Sequence, residues 1–171
     1  MSNERTTVII LLALAILPAL GCATYVNLPP HDSDVAIHVP NESNTLAVQG
    51  AALRALKQDW PEGQPTQILP YAGTSQANAH QVAASAGQPF FFASEPASDV
   101  PTIEIRQVRI RGTRAAVDIA RPSIPTDAQS TLQLITVHLD WSVMTGWQSR
   151  RLRVWRVALQ DALPVSHEIN P

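Results

Sequence analysis

From Thr102 onward the apolar residues recur at every second position, a period that specifies β-strands with one buried face. Ile103 and Ile105 share one parity, whereas Val108 and Ile110 share the other. One extra residue reconciles them, so a β-bulge is expected at Arg106-Gln107. Gly112-Thr113 places Gly first in a tight turn, as a type II′ hairpin prefers. Pairing across that turn sets Ile110 opposite Ala115, Val108 opposite Val117 and, beyond the bulge, Ile105 opposite Ile119. Every apolar pair then falls on one face, and Pro122 and Pro125 end the hairpin.

A second hairpin is expected downstream. Ile135, Val137, Leu139, Trp141 and Val143 alternate, and a return strand runs from Trp147 to Leu159. A turn at Thr145-Gly146 predicts Leu139 against Leu152 and Val137 against Val154. The opposite face then pairs Asp140 with Arg151, His138 with Arg153 and Thr136 with Trp155.

Upstream of the strands the period lengthens. Leu46, Leu53, Leu56 and Trp60 form one helical stripe, with Ser43, Asn44 or Thr45 as a cap and Pro61 as a stop. Gly50 lies on that stripe, where it weakens the helix by about 1 kcal/mol relative to Ala but permits close approach to a sheet. Ser75 to Ala86 reads as a second, Ala-rich helix capped by Thr74 or Ser75 and ended by Gly87. Six prolines between positions 61 and 101 cut the surrounding segment into short pieces, among which Phe90-Phe91-Phe92 suits a docked segment or short strand. The expected fold is α+β: one or two N-terminal helices packed on an antiparallel sheet of about four strands, the two hairpins. Residues 45–160 form this single domain, and 161–171 form a disordered tail.

The amino terminus sets the compartment. Val8 to Leu17 is an apolar run of the length found in secretory signals, Pro18 breaks it, and Ala19-Leu20-Gly21-Cys22 follows. This ending resembles the lipobox of bacterial lipoprotein precursors. The resemblance implies cleavage of residues 1–21, diacylglycerol on the Cys22 sulfur and an acyl chain on its freed amine. Ala23 carries no inner-membrane retention signal, so the resemblance implies a periplasm-facing position on the outer membrane; the inner membrane or secretion are the alternatives. An ordinary cleaved signal and an uncleaved transmembrane helix are rival readings, since Val8 to Val26 is uncharged and 19 residues long. Cys22 is the only Cys of the chain, and an unpaired thiol is a liability in an oxidising compartment unless it is modified. Residues 22–44, rich in Pro, Asp, Asn and Ser, read as the lipidated Cys and a flexible tether.

Net charge is −2, which argues against nucleic acid as a partner, but the charges are segregated. Arg106 to Arg156 holds nine Arg against three Asp. Arg109, Arg111 and Arg114 gather at one hairpin tip, and Arg151, Arg153 and Trp155 lie on the other hairpin; Arg suits bidentate contact with phosphate or carboxylate. These six are the candidate partner-binding residues, for an anionic envelope component or an acidic protein. No Gly-x-Ser-x-Gly, His-Glu-x-x-His or phosphate-cradling Gly loop is present, and the five His are scattered, so no catalytic residue, metal or cofactor is expected beyond the acyl groups. The expected function is that of a non-enzymatic, membrane-anchored binding or scaffold module. The alternative is a small-ligand carrier or enzyme with its site between helix and sheet near His138 and Asp140. Intact mass of protein extracted from membranes should equal the chain from Cys22 plus its acyl groups; a bare thiol or a retained leader would refute the lipobox reading.

Overall fold

The computed structural model describes residues 39–95, 97, 99–122 and 132–155, together with the backbone of Tyr25–Leu28. The leader, Cys22, most of the expected tether and the expected disordered tail lie outside the described residues. In chain order the elements are β1 (Tyr25–Leu28), α1 (Ser43–Lys57), β2 (Thr66–Leu69), α2 (Gln76–Ala86), β3 (Phe90–Phe91), β4 (Thr102–Arg111), β5 (Arg114–Pro122), β6 (Leu132–Ser142) and β7 (Gly146–Trp155). The strands form one curled, mixed sheet in the order β3-β2-β4-β5-β6-β7, with β1 also paired to β4.

The first hairpin adopts the register that the alternation predicts. Ile110 pairs with Ala115, Val108 with Val117 and Ile105 with Ile119, with a register shift between Ile105 and Gln107. All of these apolar residues are buried on the face that α1 covers. The second hairpin departs from expectation. Ser142 pairs with Gly146, so the turn is Val143-Met144-Thr145, and Gly146 takes the left-handed φ of 67° that closes it. A second bulge leaves Arg150 unpaired between Ser149 and Arg151. His138 therefore faces Arg151, Thr136 faces Arg153 and Val137 faces Leu152. The reason is packing: the bulge lets Trp147 and Leu152, which differ in parity, both join the core.

The four-strand antiparallel sheet is a second correction. β2 lies between β3 and β4 and runs parallel to both, with α2 as the crossover from β2 to β3. Its polar residues are buried but satisfied. Gln67 donates from Nε2 to the carbonyls of Ala93 and Glu95, at 3.1 and 2.9 Å, and accepts from Ala97 N at 2.9 Å. Thr66 accepts the indole N–H of Trp60 at 2.7 Å. Within the segment read as tether, Tyr25–Leu28 pairs antiparallel with β4, from Tyr25 opposite Arg111 to Leu28 opposite Val108.

The stripe of α1 is buried as expected, Leu46, Leu53, Leu56 and Trp60 included. Its N-cap is Glu42, which provides no side-chain hydrogen bond; the Asn44 side-chain Oδ1 instead accepts the Trp147 indole N–H at 2.8 Å and ties α1 to the second hairpin. α2 is capped by Ser75 and ends at Gly87. Gly50 serves a helix–helix contact rather than a helix–sheet one. A Cβ there would meet the Ser85 hydroxyl and come within 3.1 Å of the Ser85 Cβ on α2. Arg54 crosses the same junction to donate to the Ser85 carbonyl at 2.7 Å. Gly50→Leu should destabilise the protein by about 1–3 kcal/mol through overpacking, measured as a lower urea midpoint at unchanged m-value.

Candidate anion-binding face

The bulges in β4 and β7 keep the large apolar side chains on the helix side and so deliver the charges to the opposite, outer face. There the strands align in rows. Arg111, Arg114 and Asp140 form one row, Arg109, Ala116, His138 and Arg151 the next, and Asp118, Thr136 and Arg153 the third. Ala116 has almost no side chain, which leaves a depression of about 330 Å³. Arg109, Arg111, Arg114 and His138 surround it, and no carboxylate is among its lining residues.

A polar chain fixes the floor behind this depression. Arg109 Nη2 donates to Asp118 Oδ2 at 2.9 Å, and Thr136 Oγ1 donates to Asp118 Oδ1 at 2.6 Å. The Trp155 indole N–H donates to Thr136 Oγ1 at 2.8 Å, and the Arg153 guanidinium stacks over the Trp155 ring at 3.7 Å. Asp118 is mostly buried, so it holds the Arg109 fork in place in a setting where a charged hydrogen bond is strong. The Arg109 Nε nevertheless has no hydrogen-bond partner among the described residues.

All six candidate residues thus lie on one face, but in two groups. Arg109, Arg111 and Arg114 join His138 around the depression, with Arg151 beside His138 in register. Arg153 and Trp155 engage each other one row farther along and act as a brace. The expected pairing of Asp140 with Arg151 is replaced by an exposed contact of 3.6 Å with the bulged Arg150. His138 and Asp140 face away from the helices, so they cannot belong to a site between helix and sheet; that space holds Leu53, Leu56, Val117, Val137 and Leu139. Trp141, expected in this core, is 42% exposed, and Trp147 takes the buried position. Ala116 and Asp118 escaped sequence reading, although both sit at the outward parity of β5, where one small and one acidic residue interrupt a basic face.

Two other concavities occur among the described residues. One, of about 550 Å³, lies between the start of α1, α2 and the tip of the second hairpin and includes Arg54, Ser85 and Trp141. The other, of about 700 Å³, lies beside Trp60 and Phe90. Neither gathers three acidic, His or Cys side chains, and no group able to hold a metal ion is found among the described residues. No helix among them is long and apolar enough to cross a membrane.

Asp118→Ala should cost roughly 1–3 kcal/mol in urea unfolding, because it strands both the Arg109 guanidinium and the Thr136 hydroxyl. Thr136→Val should cost less, since Arg109 keeps its carboxylate.

Comparisons with protein-family models, with curated proteins and with solved structures find no match.

Proposed function

We propose that this is a non-enzymatic envelope lipoprotein, anchored through acylated Cys22, that binds an anionic component through the outer face of its sheet. The observation that carries this reading is the convergence of Arg109, Arg111, Arg114 and His138 on one depression with no acid among the described residues of its lining. Positive charge gathered this densely on one face of a chain of net charge −2 attracts anions to that face. Phosphate or carboxylate oxygens satisfy the planar guanidinium fork. Asp118 orients Arg109 without lining the depression, so this guanidinium is positioned before a ligand arrives.

The protein should therefore bind a phosphate-bearing resin at low ionic strength in spite of its negative net charge, and elute as salt screens the face. The Arg111→Glu, Arg114→Glu variant, which leaves the Arg109–Asp118 pair intact, should be retained far less than the wild type while keeping the wild-type circular dichroism spectrum. Equal retention of variant and wild type would refute the assignment of this face.

A further inference from the structure

The strand directions bring several separate features to one end of the sheet. β4 finishes there at Arg111 and β5 begins there at Arg114; β6 finishes there at Ser142 and β7 begins there at Gly146. The two turns touch, since Trp141 N donates to the Thr113 carbonyl at 2.8 Å. At this end the second hairpin carries three apolar side chains into solvent: Val143 is 83% exposed, Met144 92% and Trp141 42%. Val143 and Met144, so exposed at the loop tip, contribute little to packing within the chain. On the same end of the sheet are Arg111, Arg114 and Arg150, and the acidic residues there among those described are Asp140, which contacts Arg150, and Glu42 at the start of α1.

β1 supplies the direction. It runs antiparallel to β4 with Tyr25 opposite Arg111, so the chain comes into the sheet at this same end. Cys22 precedes Tyr25 by three residues. Three residues of fully extended chain span at most about 11 Å. The headgroup layer on one side of a bilayer is itself roughly 5–8 Å deep. An acyl group on Cys22 therefore holds the Arg111 end of the sheet at the membrane surface, and a 23-residue tether is reduced to a short link. Trp favours the boundary between acyl chains and headgroups, and Arg favours anionic headgroups.

We propose that the hairpin end of the sheet is a membrane-docking surface. Val143, Met144 and Trp141 insert among the headgroups of the bilayer that holds the anchor, and Arg111 and Arg114 contact lipid phosphates. This rests on the reading of Cys22 as the anchored residue, and it names lipid phosphate as the anion met by the near edge of the basic depression. The domain then stands end-on, with β7 finishing at Trp155 on the side away from the bilayer.

The test uses the full chain, extracted from membranes and reconstituted into vesicles of phosphatidylethanolamine and phosphatidylglycerol whose acyl chains are brominated. Tryptophan emission should be quenched relative to unbrominated vesicles, and the quenched component should be missing from Trp141→Phe. The Val143→Asp, Met144→Asp variant should keep its melting temperature and lose the quenching; Arg111→Glu, Arg114→Glu should weaken it. Acyl groups present by mass with no quenching of Trp141 would overturn the docking surface and leave the anchor standing. Quenching in a chain without acyl groups would overturn the anchor alone. Absence of both would refute the two together.

Discussion

Two bulges, between Ile105 and Gln107 in β4 and at Arg150 in β7, maintain the two-faced character of this sheet. Side chains in a strand alternate, so a parity error of one residue would turn half of a strand's apolar residues outward. Each bulge absorbs one such error. As a result Ile103, Ile105, Val108 and Ile110 share the inner face of β4, and Trp147 and Leu152 share that of β7. α1 can then lay Leu46, Leu53 and Leu56 across four strands, which is the principal burial of apolar area in the described chain. Gly50 lets α2 pack closely against α1.

The same parity decides the electrostatics. Arg residues, placed on alternate positions of β4 and on β7 past its bulge, all turn outward once the core is satisfied. The outer face is thus basic because the inner face is apolar. Asp118 holds the Arg109 guanidinium in place on this face, and Thr136 donates to Asp118 while receiving the Trp155 indole N–H. Ala116 opens the depression by contributing only a methyl group where its neighbours in the row are Arg and His.

Strand direction adds an axis to these two faces. Both hairpin turns, the start of β1 and the start of α1 lie at one end, and β7 finishes at the other. The end that carries the turns bears the two most exposed large apolar side chains among the described residues, Val143 and Met144, with Arg111 and Arg114 at the neighbouring turn. A domain polarised in this way has a preferred orientation at a charged apolar boundary, because turning it over would place Val143 and Met144 in water and separate Arg111 and Arg114 from anionic headgroups.

Local pattern determined much of this protein. The period of two from Thr102, the bulge at Arg106-Gln107, the turn at Gly112-Thr113 and the register of the first hairpin all follow from parity and turn chemistry, which act over neighbouring residues. The stripe of α1 and the cap of α2 are equally local. Tertiary structure decided the rest. β2 and β3 are four and two residues long and pair in parallel through a helix crossover, so no turn signal announces them. The bulge at Arg150 exists because Trp147, not Trp141, fits under the start of α1, a contact 103 residues distant along the chain. That single choice moved Arg151 beside His138 and left Trp141 half in solvent, because a strand can change the face of its side chains only by a bulge and long-range packing selects where the bulge falls.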